Sequence, residues 1–235
     1  MNTIVLDTET TSLVKTTGVQ AELMRVYDLG WCVMDTNDFT IVRQKNYAIM
    51  DVFNNARLMG TAYYRAKLPW YYEEMRSGRL PQVELRDACG IFEDSCKDNG
   101  VHDVWAYNCR FDYTALNATI DDFSNGYRTR FFPSNVRVYD IMSAAVELIC
   151  DENYCKWAKS IGAVTAKGNP RATAETVYNY VAGVLHDEID DCYEECHTAL
   201  DDSRIEARIL QECLTIDEGA TYLHGAKWGK KIKAK

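Results

Sequence analysis

No apolar run in the chain approaches the roughly 18 residues that a membrane span requires, and the N-terminus lacks a basic-then-apolar signal pattern. These absences point to a cytoplasmic protein with no membrane partner. The nine cysteines avoid framework spacings, so they are expected to be reduced thiols. Cys192, Cys196 and His197, with Cys150 and Cys155 elsewhere, match no usual zinc spacing. Internal repeats and low-complexity tracts are also missing. Basic residues are in deficit, 26 against 35 acids for a net charge of −9, which argues against a protein that wraps nucleic acid. The deficit is uneven. Residues 226–235 carry five lysines and no acid, leaving 21 basic against 35 acidic residues and a charge of −14 in the remainder. An acidic body with a basic tail allows a small, local contact with phosphates.

What is present is ordinary globular composition, 47% hydrophobic and 26% charged over 235 residues. A chain of this length buries roughly 70% of its unfolded surface without a disulfide or metal staple. We expect one domain over 1–225 and a basic tail over 226–235.

Thr3-Ile4-Val5-Leu6 is a β-branched and apolar run ending at Asp7, as a buried central strand would. Tyr27–Met34 and Thr40–Ile49 read as two further strands joined by the turn-rich Asp35-Thr36-Asn37-Asp38. Asp51–Arg79 is aromatic and helix-compatible, with an interruption expected at Pro69. Pro81 is expected to open an amphipathic helix through Leu85, Cys89, Phe92 and Cys96. Strands follow at Asp103–Tyr107 and Val136–Tyr139, each leading into a helix, Phe111–Phe123 and Ile141–Ser160. Further helices are expected at Thr173–His186 and from about Thr198 to Leu214. A hairpin followed by strand–helix units gives an α/β fold, a mixed sheet covered by helices.

Four carboxylates fall at the ends of these elements. Asp7 and Glu9 close the first strand and, two residues apart, project to one face. Asp112 follows the fourth strand, and Asp202 lies near the start of the last helix. Packed together they repel one another and are costly to bury unless cations neutralise them. Hard oxygen donors of this kind suit Mg²⁺ or Mn²⁺, and two such ions are the recurring device for in-line phosphodiester cleavage.

The same residues carry a family resemblance. Asp7-Thr8-Glu9-Thr10-Thr11-Ser12-Leu13 resembles the first motif of the DEDD superfamily of proofreading-type 3′→5′ exonucleases. Asn108-Cys109-Arg110-Phe111-Asp112 resembles its second motif, and His197-Thr198-Ala199-Leu200-Asp201-Asp202 its third, in the histidine branch. The resemblance spans roughly residues 3–214 and implies a ribonuclease H-like fold, with about five strands of which one is antiparallel. It implies stepwise release of nucleoside monophosphates from a 3′ end. Asp7, Glu9, Asp112 and Asp202 would hold two Mg²⁺ or Mn²⁺ ions, and His197 would be the general base. Backbone groups around Thr8 and Thr10 would grip the terminal nucleotide, Leu13 would wedge against its base, and Asn108 would sit near the scissile phosphate. His197 and Asp202 are five residues apart, about 140° on a continuous helix. His197 is therefore expected in the turn before the helix, mobile enough to swing onto the attacking water.

Two departures from the pattern stand out. Asp112 and Asp202 are 90 residues apart, with the excess expected in Tyr127–Pro133 and Gly162–Arg171. Asp201 beside Asp202 also offers a second aligned carboxylate, and the motif spacing favours Asp202. Asp140 reads as a helix cap or as a group supporting the site. Tyr63–Tyr72 interleaves five aromatics with Arg65 and Lys67, which suits either stacking of unpaired bases or packing onto the sheet. The expected partners are single-stranded DNA 3′ ends, RNA being the competitor, with a DNA polymerase or replication protein as a further candidate. A fold that binds ends without cleaving them is the non-enzyme rival.

Overall fold

The computed structural model describes residues 1–12, 24–189, 193–194 and 196–216. Leu13 and the lysine tail of 226–235 lie outside the described residues. The sheet is built from β1 (Asn2–Thr10), β2 (Val26–Asp35) and β3 (Ile41–Ile49), then β4 (Gln82–Val83), β5 (Asp103–Ala106) and β6 (Arg137–Asp140). Their order across the sheet is β4-β3-β2-β1-β5-β6. Only β2 runs antiparallel to its neighbours. The long apolar run of β1 follows from its central place, where both faces are covered. Ile4 and Leu6 belong to the core on one face, and Val5 belongs to the core on the other.

The helices are α1 (Met50–Phe53), α2 (Ala56–Met59), α3 (Leu68–Ser77), α4 (Leu85–Asp98) and α5 (Arg110–Phe123). They continue as α6 (Ile141–Ala144), α7 (Val146–Cys150), α8 (Glu152–Ser160), α9 (Ala174–Tyr178) and α10 (Ala199–Ile216). The α4 and α5 helices pack on the Ile4–Leu6 face, whereas α6, α8, α9 and α10 cover the Val5 face.

The sheet has six strands where about five were expected, and four expectations about the helices are corrected. The Pro81 carbonyl accepts from Ala48 N–H at 3.0 Å, so the chain runs along the sheet edge before its helix begins at Leu85. Leu85 N–H donates to Asp51 Oδ2 at 2.6 Å, which fixes that start. Pro69 does not interrupt a helix. It sits in the first turn of α3, where a missing N–H costs nothing. The helix expected over Ile141–Ser160 is broken into three. Asp151 adopts an extended conformation and its side chain accepts from Asn153 and Tyr154 N–H groups, a cap that restarts the helix. Finally, the Thr173–His186 segment starts as α9, capped by Thr173, and widens into a π-helix over Asn179–Leu185.

Candidate active site

The site forms at the C-terminal ends of β1 and β5, where α10 crosses the sheet. Gly30 on β2 permits this crossing. A Cβ there would lie 2.2 Å from Leu200 N and 2.3 Å from the Ala199 carbonyl carbon, so any side chain would displace α10. Gly30 pairs in register with Asp7, which brings the start of α10 directly over the first catalytic candidate.

Asp7 and Glu9 alternate with Thr8 along β1 and point to the α10 face. One ligand atom from each of Glu9, His197 and Asp202 lies within 4.8 Å of the others. Asp112 enters from the first turn of α5 and is almost wholly buried; Thr8 Oγ1 donates to its Oδ1 at 2.7 Å. Asp7 keeps partial solvent contact, yet its pKa is raised well above the usual carboxylate range. Desolvation is the largest cause, followed by the charges of Glu206, Asp112, Asp202 and Glu9. Burial pushes Asp112 up to about 7 against the opposing hydrogen bond from Thr8. A set of hard oxygen donors that resists ionisation without counter-charge fits a divalent cation of the Mg²⁺ or Mn²⁺ class.

The remaining expected residues take supporting places. Thr10 Oγ1 donates to the Ser12 carbonyl at 2.9 Å. Asn108 is exposed at the head of α5 with φ of 58°, a left-handed conformation that asparagine tolerates. Its N–H donates to Asp140 Oδ1 at 2.9 Å, and the same oxygen accepts from Met142 N–H. Asp140 is thus both the cap of α6 and the brace of Asn108. Asp202 is buried and faces Glu9, whereas Asp201 accepts from Thr198 Oγ1 at 2.8 Å and Arg204 Nη1 at 2.5 Å.

His197 precedes α10 with φ of 50°. Its imidazole is held below its ordinary value by burial first and by the Lys67 ammonium second. The ring is not loose. It stacks on Tyr64 with centroids 3.9 Å apart and planes at 13°.

Three residues at the site escaped the sequence reading. Glu206 is buried on α10, accepts from Tyr107 N–H at 3.2 Å, and is the strongest charged influence on Asp7. Its signal was available, since it lies four residues after Asp202 and so on the same helix face. Asp28 pairs in register with Glu9, and its Oδ2 accepts from Tyr71 Oη at 2.7 Å and Ala199 N–H at 3.1 Å. Burial raises Asp28 to about 6, against those hydrogen bonds. Nothing local marked Asp28, or set Tyr71 apart from the other aromatics of 63–72, because the partners of Asp28 lie 171 and 43 positions away from it.

No protein-family model matches the chain, and no curated protein matches it in sequence. Solved structures match it in three dimensions. The nuclease domain of 3'hExo, a DEDDh family member bound to rAMP, superimposes with a TM-score of 0.60 at 12% identity, over 92% of each chain. Exonuclease X in complex with 5' overhanging duplex DNA gives 0.50 at 12% identity, over 95% of this chain and 97% of its own. Exonuclease I of E. coli in complex with an oligonucleotide gives 0.54 at 13% identity, over 91% of this chain and 41% of its own. At such identities the likeness establishes a shared α/β fold with these nuclease structures.

Proposed function

We propose, with that shared fold as the premise, that the chain is a metal-dependent 3′→5′ exonuclease acting on single-stranded or frayed 3′ ends. DNA is the favoured substrate and RNA the competitor. One observation carries the reading. Glu9, His197 and Asp202 converge within 4.8 Å at the strand end where the charges of Asp7 and Asp112 also act. Structural acids are rarely gathered in this way, because each raises the cost of ionising the next.

Asp7, Glu9, Asp112 and Asp202 would hold the cations. Bound there, two divalent ions would neutralise the phosphate and the charge that develops on it. The protein groups do the rest. His197, neutral near pH 7 because burial and Lys67 oppose its protonation, accepts a proton from the attacking water. The new P–O bond forms as the bond to the preceding 3′ oxygen breaks, that oxygen takes up a proton from solvent to become the new 3′ hydroxyl, and a nucleoside 5′-monophosphate is released. Backbone groups around Thr8 and Thr10 grip the terminal nucleotide, and Asn108 lies by the scissile phosphate. Leu13 is assigned the wedge, and the lysine tail the outlying phosphate contact.

Digestion of matched DNA and RNA oligonucleotides, end-labelled and supplied with Mg²⁺ or Mn²⁺, tests this reading. The expected result is a ladder shortening from the 3′ end with monophosphate products, abolished by EDTA and unsupported by Ca²⁺. Cleavage that persists at full rate after EDTA treatment overturns the metal assignment. Retention of 3′ ends with no cleavage in either metal would return the chain to an end-binding module.

A further inference from the structure

His197 sits in the left-handed backbone region, with φ of 50°, which a residue bearing a Cβ rarely adopts. Such strain persists only where surrounding contacts over-determine it. Among the described residues, the stretch 63–72 supplies contacts of this kind. Tyr64 lies flat against the imidazole, and Tyr63 meets Tyr64 edge-on at 4.7 Å. Tyr63 N–H donates to the Thr10 carbonyl at 3.3 Å, which ties this pair to the end of the strand that carries Glu9. Seven residues after Tyr64, the buried Tyr71 hydroxyl donates to Asp28 and lies 3.4 Å from the His197 carbonyl oxygen. Asp28 in turn accepts from Ala199 N–H, fixing the first turn of α10 just beyond His197.

We propose that this aromatic segment is a clamp that holds the base in its working place, Tyr64 fixing the ring and the Tyr71–Asp28 pair fixing the backbone. The stacking geometry suits the task. Tyr64 covers one π-face, and the ring nitrogens lie in the ring plane, so the stack leaves one of them within 4.8 Å of the Glu9 and Asp202 oxygens. A histidine held at the reacting atoms avoids the entropic cost of finding them at each turnover. The clamp also divides the segment. Tyr64 and Tyr71 serve the histidine, which leaves Tyr63, Trp70 and Tyr72, all exposed, as the aromatics open to other partners.

The catalytic meaning of the clamp rests on the nuclease reading, but the clamp itself is testable without activity. The chain has four histidines, so the His197 ring protons can be assigned in NMR spectra of the full-length protein by comparison with His197→Asn. In the wild type these protons should be shifted upfield by the Tyr64 ring. The shift should survive in Tyr64→Phe and vanish in Tyr64→Leu, which fills the volume without a π-face, and in Tyr64→Ala. Amide spectra otherwise unchanged would show that each variant is folded. Turnover should fall about 10- to 100-fold in the Leu and Ala variants with KM within about twofold, and Phe should recover most of the loss. Tyr71→Phe should lower turnover in the same sense while keeping the upfield shift. A His197 resonance indifferent to Tyr64→Leu overturns the clamp whether or not the protein cleaves nucleic acid. A lost stack with unchanged turnover overturns the positioning role. An upfield shift lost as expected in a protein that shows no cleavage would uphold the clamp and reject the nuclease reading instead.

Discussion

The two halves of α10 carry similar side chains into opposite circumstances. In the first half, Asp202 and Glu206 are buried and act on Asp7, whose strongest influences after burial are all other carboxylates. In the second half, Glu212 is equally buried but sits between Arg208 and His186. Arg208 reaches it at 3.4 Å and reaches Glu188 at 2.8 Å, and His186 Nε2 lies 2.7 Å from its Oε2. The helix is one continuous element, so propensity cannot explain the contrast. Where the fold supplies cations of its own, the acids hold the structure together. Where it gathers acids around Asp7, each raises the cost of ionising the next, an arrangement that suits the divalent cations of the proposed function better than it suits stability.

The largest expected effect breaks the first half. Asp202→Ala should reduce nuclease turnover to background while leaving the metal-free protein as stable as the wild type or more so, because one of several repelling anions has gone. Turnover near wild type in Mg²⁺ would remove Asp202 from the site. His197→Ala should cost on the order of 10²–10⁴ in turnover with little change in substrate affinity. A loss confined to KM would make His197 a substrate contact.

The corresponding cut in the second half should invert the pattern. Arg208→Ala strips the cation from Glu212 and Glu188 and should destabilise the protein by about 1–3 kcal/mol, the cost of leaving a buried charged group without its partner. Turnover per folded molecule should be unchanged. Denaturant melts paired with activity titrations separate the two. A large activity loss without a stability loss would erase the distinction between the halves.

Much of the candidate site was legible in the sequence. Asp7, Glu9, Asp112, His197 and Asp202 declare themselves because short motifs at strand and helix ends survive as local patterns. Glu206 was one helical turn further along the same reasoning. Asp28, Tyr71 and Gly30 were not legible, since each acts through chain brought alongside by folding: Asp28 on Ala199 N–H, Gly30 beneath Leu200. The same limit hid β4, a two-residue strand defined by its neighbour rather than its own sequence. It also hid the role of Tyr64. The aromatic spacing of 63–72 suited both a base platform and helix packing, and only the position of His197 in space divides the segment between them.

The smallest expected effect concerns Asp112 and the pH dependence of the metal-free protein. Its carboxyl titrates at about 7 in the fold, chiefly because it is buried, against about 3.8 in a solvated chain. Below pH 3.8 both states are protonated and the residue costs nothing. Between pH 3.8 and 7 the unfolded chain releases a proton that the folded one retains, so stability falls as pH rises through this window. Above pH 7 both states are ionised and the full cost is in place. Asp112→Asn removes the charge but keeps an oxygen able to accept from Thr8 Oγ1, so the 2.7 Å hydrogen bond has a neutral replacement. The variant should therefore match the wild type near pH 4 and melt higher near pH 8. Each kcal/mol recovered corresponds to roughly 2–4 °C in a protein of this size. Added Mg²⁺ should narrow the gap at pH 8 by stabilising the wild type alone. A difference in melting temperature that is the same at both pH values would mean that Asp112 is not held against its charge. The contrast between the two halves of α10 would then lose its electrostatic basis at the one carboxylate of the site that another helix supplies.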